Sequence, residues 1–147
     1  MSAARLDAIT VLLVDDSRPV RTVLKTLLKG LGVTRIYEAA DPESARAMAF
    51  TVRPDIALID YDLGCMTGVE LIQDFRTQKS GPAPSMPLIL LAPTWQPHLA
   101  EGAREAGADA VLPKPVTARM LGERIAALAA LGPTAESGLS TVTARAS

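Results

Sequence analysis

Strict alternation is the feature that most constrains this chain. Five short apolar runs, at about residues 10–14, 35–38, 56–59, 88–91 and 110–112, are separated by segments whose apolar residues recur at helical spacing. Over residues 18–31, Val20, Val23, Leu24, Leu27, Leu28 and Leu31 form one stripe, with Arg21, Lys25 and Lys29 outside it. That is the pattern of an amphipathic helix, and Gly30 and Gly32 suit its C-terminal end. Residues 42–52 predict a second, weaker helix, with Pro42 near its first position after Asp41. Segments 68–78, 99–106 and 117–131 complete the set. The apolar runs show little alternation of their own, as expected of strands covered on both faces.

Strands and helices in this order dictate a parallel sheet joined by right-handed crossovers. Five such units predict an α/β fold, a flavodoxin-like doubly wound (βα)5 architecture with a five-stranded parallel sheet of order 2-1-3-4-5. The stretch "QKSGPAPSMP", residues 78–87, carries three prolines and two serines and reads as a loop before the fourth strand. A length of 147 residues suits one domain. It is placed at 9–131, between an N-terminal extension (1–8) and a tail (132–147). The tail has one Leu and one Val and reads as disordered, and it is too short for an output domain.

A net charge of −1 gives no electrostatic footprint for nucleic acid or for an anionic membrane, so neither is expected as a partner. One cysteine forms no internal disulfide, which favours a reducing compartment. No apolar run is long enough for a membrane span, and the first ten residues lack a signal-peptide core. The chain is therefore expected to be soluble and cytoplasmic.

The chemistry gathers at the strand ends. "TVLLVDD" ends the first strand in Asp15 and Asp16, and "PDIALIDYDLG" ends the third in Asp60, with Asp62 and Gly64 following. In a sheet of this order, strands 1 and 3 flank the point where strand order reverses, and ligands bind beyond their carboxyl ends. Three carboxylates at one edge repel one another unless a cation compensates. Hard oxygen ligands in an open, hydrated site suit Mg²⁺. "LPKP" at the end of the fifth strand brings Lys114 to the same edge. Taken singly, a strand-end Asp is a turn or cap residue, Ser17 an N-cap, and a Lys-Pro a surface loop. The argument rests on the set.

"VLLVDDS", "ALIDYDLGCMTGVEL" and "GADAVLPKPV" resemble the three signature stretches of the receiver domain of bacterial two-component response regulators. The resemblance covers about residues 9–131, and the spacing between the motifs matches without gaps. It implies that Asp60 is the phosphoacceptor, Asp16 a direct Mg²⁺ ligand and Asp15 a ligand through water. It also implies that the main-chain carbonyl of Asp62 is the third protein ligand and that Lys114 pairs with the phosphoryl group. Gly68 matches the glycine of the loop-to-helix turn, and the Lys114–Pro115 bond is expected to be cis. Phosphoryl transfer to a carboxylate depends on in-line positioning and charge neutralisation rather than on a general base. The sole histidine, His98, is accordingly read as a surface residue at the start of the fourth helix, away from this edge. Cys65 is read as a free thiol without a role.

The resemblance breaks in the fourth and fifth strands. Counting back from Lys114, the family's Thr or Ser hydroxyl falls on Ala92. The next residue, whose N–H reaches the same phosphoryl group in the family, is Pro93, which has no N–H. Each lost charge-assisted bond is worth roughly 1.5–3 kcal/mol. The family's switch aromatic falls on Val111, which cannot swing between buried and exposed positions. Thr94, two residues beyond the strand, is the candidate substitute hydroxyl. The Asp62 side chain either orients a water at the phosphoryl group or faces solvent.

Three functions follow for comparison. The first is a stand-alone, atypical receiver, not an enzyme. It would accept phosphate from a histidine kinase or phosphotransfer protein and signal to a protein target through the face formed by the fourth helix, fifth strand and fifth helix. Trp95 is a plausible anchor on that face. The second is a pseudo-receiver adaptor in which Asp60 stays idle. The third is a haloacid-dehalogenase-like phosphatase, suggested by "DYDLG" and opposed by the order of acidic motifs along the chain.

Overall fold

The computed structural model of the chain describes residues 6–79, 81–94 and 96–130. Trp95 and the 132–147 tail lie outside these residues. The expected alternation is present: β1 (Thr10–Val14), α1 (Arg18–Gly30), β2 (Arg35–Ala39), α2 (Pro42–Val52), β3 (Ile56–Asp60), α3 (Gly68–Thr77), β4 (Leu88–Ala92), α4 (Pro97–Ala106), β5 (Ala110–Pro113) and α5 (Ala118–Ala130). The sheet is parallel throughout, with order β2-β1-β3-β4-β5. This is the flavodoxin-like (βα)5 fold, and strand order reverses between β1 and β3.

Alternate residues of each strand feed two cores. Leu12, Val14, Ala57, Ile59, Leu88 and Leu90 pack with α2, α3 and α4 on one face. Val11, Leu13, Ile56, Leu58, Ile89 and Leu91 pack with α1 and α5 on the other. Both faces are covered, which explains the continuous apolar runs of β1, β3 and β4.

β2 departs from that expectation. Arg35 and Tyr37 are exposed, Ile36 and Glu38 half-buried, and Ala39 alone is buried, because the helices cover the edge strand less completely than the central ones. The 78–87 stretch also contains a single 3-10 turn, Ala83–Ser85, nucleated where Pro82 and Pro84 fix the backbone.

Helix ends follow local chemistry. Ser17 caps α1 by accepting from the Val20 N–H at 3.3 Å. At the other end of α1, Val33 N–H donates to Leu28 O and Gly32 N–H to Lys29 O. This Schellman closure needs the positive φ of +103° that Gly32 provides. Thr67 and Glu70 form a reciprocal capping box at the start of α3. These caps matter because α1 and α3 are the helices that follow the two acidic strand ends. Among the described residues, no helix is long and apolar enough to cross a membrane.

Candidate functional site

The carboxyl ends of β1 and β3 bring Asp15, Asp16 and Asp60 together, with carboxylate oxygens within 4.8 Å of one another. Asp15 and Asp60 are buried and Asp16 is exposed, so the trio forms a pocket with one open side. β5 supplies the counter-charge: Lys114 Nζ pairs with Asp60 Oδ1 and lies 4.0 Å from Asp15 Oδ2. Lys114 is placed by its own main chain, whose N–H donates to the Ala92 carbonyl at 2.7 Å, and by the cis Lys114–Pro115 bond that follows.

Each carboxylate is partly committed. Asp60 Oδ2 accepts from the Asp62 N–H at 3.1 Å, and Asp15 Oδ1 from the Ser17 N–H at 2.8 Å. Asp15 Oδ2 is different. Among the described residues it is the one buried side-chain N or O atom with no hydrogen-bond partner. A buried carboxylate oxygen without a hydrogen bond is costly, and burial is the main reason the Asp15 carboxyl is held above its ordinary pKa; Asp60 and Asp16 add to the shift, while the Ser17 N–H and Lys114 oppose it. The donor set is all hard oxygen, one side is open, and one oxygen lacks a hydrogen bond. These features fit a divalent cation such as Mg²⁺.

The sign of the Asp15 shift gives an expected result. A carboxyl with a raised folded pKa stabilises the fold while protonated, and that contribution disappears as pH rises through the folded value. At neutral pH without Mg²⁺, Asp15→Asn is therefore expected to unfold at a higher temperature than the wild type. The difference should shrink as pH falls toward the ordinary value of 3.8. Adding Mg²⁺ should stabilise the wild type more than the variant, which keeps Asp16 and Asp60 but loses one carboxylate. Thermal scans across pH, with and without Mg²⁺, check all three points.

Two glycines shape the pocket walls. Gly64 has a φ of +85°, and a Cβ there would lie 3.4 Å from Asp16 Oδ2. At Gly68 a Cβ would stand 2.2 Å from the Asp60 carbonyl oxygen and 2.8 Å from Leu90 Cδ1. The Gly68 N–H donates to the Tyr61 carbonyl, so α3 starts tight against the strand that carries Asp60.

The remaining expected positions separate clearly. Ala92 is buried at the end of β4, while Pro93 and Thr94 are exposed. The Thr94 hydroxyl accepts from Gln96 Nε2 at 3.4 Å; among the described residues no hydrogen bond joins it to Asp60 or Lys114. Val111 is buried in the α3/α4 core. Asp62 is exposed, and its Oδ1 accepts from the Gly64 N–H at 3.0 Å, closing a turn. Cys65 is an exposed free thiol.

His98 is not away from the site edge, because a helix after a parallel strand starts at the carboxyl edge. His98 is exposed in a groove with Tyr61, Thr67 and Leu99, between α3 and α4. Arg21 is the residue that sequence reasoning missed. Its spacing marks it as a charge outside the apolar stripe, yet its side chain is 13% exposed. Its NH1 donates to the Asp15 carbonyl at 2.6 Å and its Nε to Glu38 Oε1 at 2.8 Å. Glu38 also takes Lys25 at 2.7 Å, and Lys25 and Arg21 together hold its carboxyl below the usual carboxylate range. The available signal was Arg21 and Lys25, four residues apart on one helix face, with a single acid near the end of β2 to receive them.

Fold and site together define a class: a doubly wound α/β protein with an acidic trio and a lysine at its switch-point edge. The response regulator receiver domain model matches residues 11–126, and the chain belongs to that family. It is 30% identical over 115 residues to the chemotaxis protein CheY of Pseudomonas aeruginosa, covering 78% of this chain and 91% of that one. It is 33% identical over 105 residues to the KDP operon transcriptional regulatory protein KdpE of Escherichia coli, covering 71% of this chain and 44% of the longer relative. The solved structure of the chemotaxis response regulator CheY4 of Vibrio cholerae superposes with a TM-score of 0.73 at 28% identity, covering 82% of this chain and 98% of that one. Receiver domains of this family are modules of two-component signal transduction rather than enzymes.

Proposed function

We propose that this receiver accepts a phosphoryl group on Asp60 from a histidine kinase or phosphotransfer protein, and passes the signal on without the family's hydroxyl-and-aromatic switch. The observation that carries the first part is Asp15 Oδ2, buried without a hydrogen bond 4.0 Å from Lys114 Nζ and beside Asp60. A fixed adaptor has no physical reason to bury a repulsive, unsatisfied carboxylate.

In this reading Asp15, Asp16, Asp60 and the Asp62 main-chain carbonyl would hold Mg²⁺, Asp16 as a direct ligand and Asp15 through water. When bound, the ion supplies charge neutralisation for the phosphoryl oxygens. An Asp60 carboxylate oxygen attacks phosphorus in line and forms the new O–P bond. The donor's N–P bond breaks, and its imidazole keeps the electron pair and takes a proton. Lys114, already paired with Asp60, remains with the added negative charge. The Asp62 N–H holds the other Asp60 oxygen and keeps the carboxylate plane fixed.

Two docking faces serve this scheme. An apolar groove of about 520 Å³ lies beside the site, lined by Val20, Val23, Leu24, Pro93, Lys114 and Pro115; it offers a phosphodonor protein apolar surface within reach of Asp60. The output face is formed by α4, β5 and α5. Ala92 and Pro93 supply no phosphoryl donors and Val111 no mobile ring, so the bias that ordinarily shifts that face is absent.

The test uses a small phosphodonor such as acetyl phosphate with Mg²⁺. Intact mass should show one phosphoryl group, labile to hydroxylamine and absent in Asp60→Asn. Beryllofluoride with Mg²⁺ should shift NMR signals of the loops after β1 and β3 and leave α4, β5 and α5 nearly unmoved. Large shifts at Val111 and along α4 would overturn the switchless part, with Thr94 the first residue to replace. No phosphoryl group and no shift at Asp60 would favour the adaptor, and sustained phosphomonoester turnover the hydrolase.

A further inference from the structure

We propose that Arg21 is a positioning residue of this site: it fixes the peptide unit between Asp15 and Asp16 and so aims both carboxylates. The inference rests on the reading of the site as a Mg²⁺-dependent phosphoacceptor.

The ladder along β1 ends where the Asp15 N–H donates to the Ala39 carbonyl at 3.1 Å. Beyond that bond the chain leaves the sheet, and no strand remains to serve the Asp15 carbonyl. Arg21, one turn into α1, reaches back and supplies the missing donor at 2.6 Å. The Asp15 carbonyl and the Asp16 N–H belong to one planar unit, so holding the first sets the rotation from which Asp16 departs. Ser17 already occupies Asp15 Oδ1. The free valences left on the turn are Asp15 Oδ2 and the Asp16 carboxylate, and both belong to the acidic trio.

Arg21 is itself held. Glu38 takes its Nε at 2.8 Å, and Lys25 takes the other Glu38 oxygen at 2.7 Å. Glu38 is the penultimate residue of β2, and the next residue, Ala39, is the one that receives the Asp15 N–H. β2 therefore supports the aspartate pair twice, once by main chain and once through Glu38 and Arg21.

Two effects of opposite sign follow from a guanidinium here. Its charge repels an incoming cation, so its removal would tighten Mg²⁺ binding. Its hydrogen bonds hold the ligands in register, so its removal would weaken binding. Glu38 decides between them, because the ion pair neutralises the charge and leaves the geometry. Lysine cannot replace that geometry: an ammonium is a point charge without the planar fork that spans Glu38 and the Asp15 carbonyl.

Mg²⁺ alone is titrated into the wild type, Arg21→Met, Arg21→Lys and Glu38→Gln, by calorimetry and by NMR at the Asp16 and Gly64 amides, with a thermal scan of each protein. Both Arg21 variants should bind Mg²⁺ on the order of tenfold more weakly, as when a partner that orients a metal ligand is lost. Glu38→Gln should lose less. Incorporation from acetyl phosphate should slow at low Mg²⁺ and return to the wild-type rate at saturating Mg²⁺, a split that a general loss of stability does not produce. Unchanged or tighter Mg²⁺ binding in folded Arg21→Met overturns the proposal. If that variant does not fold, unchanged affinity in Glu38→Gln overturns it. A wild-type chain that takes up neither Mg²⁺ nor phosphate overturns the site reading itself, and this inference with it.

Discussion

Arg76→Met is expected to lose about 3–5 kcal/mol of stability, lowering the unfolding midpoint by roughly 10 °C or more for a domain of this size. The Arg76 guanidinium sits at the amino edge of the sheet, far from the carboxylates. It donates to the carbonyls of Gly107, Ala83, Pro84 and Met86 and to Asp109 Oδ2 at 2.9 Å. Asp109 in turn accepts from the Leu88 N–H at 2.9 Å. One side chain thus joins the end of α3, the 3-10 turn before β4 and the turn into β5. Methionine keeps much of the volume but leaves several main-chain acceptors and a buried Asp109, 7% exposed, without that cation. Urea or thermal unfolding followed by circular dichroism measures the loss. Asp109→Asn should be milder, since an amide oxygen still accepts from Leu88.

Gly68→Ala should be nearly as damaging, for a steric reason. The added Cβ would meet the Asp60 carbonyl oxygen at 2.2 Å and Leu90 Cδ1 at 2.8 Å. Leu90 can change rotamer, whereas the Asp60 carbonyl belongs to the strand and cannot yield without moving β3. A cost of roughly 3 kcal/mol, at the upper end for overpacking, is expected. The strand residue displaced is Asp60, and a misplacement of about 1 Å at a reacting group costs on the order of a hundredfold in rate. Any Gly68→Ala protein that folds should therefore accept phosphate far more slowly while Lys114 and the other two aspartates remain in place. Unfolding curves and phosphoryl incorporation measured on the same preparation separate the two losses.

The two substitutions mark where sequence reasoning succeeds and where it stops. Strand order, both core faces and the meeting of Asp15, Asp16, Asp60 and Lys114 were legible, because period and strand ends are written locally and the parallel topology converts strand ends into one edge. Element bounds differ by one or two residues: β2, β3, β4 and β5 each extend one residue further, and α4 begins at Pro97 rather than Leu99. Long-range polar contacts were not legible. Arg76 lies 33 residues from Asp109 and Arg21 17 residues from Glu38, and in the chain each reads as an ordinary helix charge. The burial of Asp15 was hidden for the same reason, since only the packed edge shows that one of its oxygens has no hydrogen bond.

The course of α5 has a practical consequence. α5 runs back from β5 to the amino edge of the sheet, and a Cβ at its Gly122 would meet Leu31 Cδ2 at 2.9 Å. The turn at Leu6–Ala8 lies at that same edge, where the Asp7 carbonyl receives the Thr34 hydroxyl just before β2. Both ends of the described chain thus leave on the side opposite the carboxylates, separated from them by a strand of five residues, or roughly 17 Å. A fluorophore or a surface tether attached at the Leu6–Ala8 turn or along the last turn of α5 starts from behind the sheet, on the side away from the acidic trio.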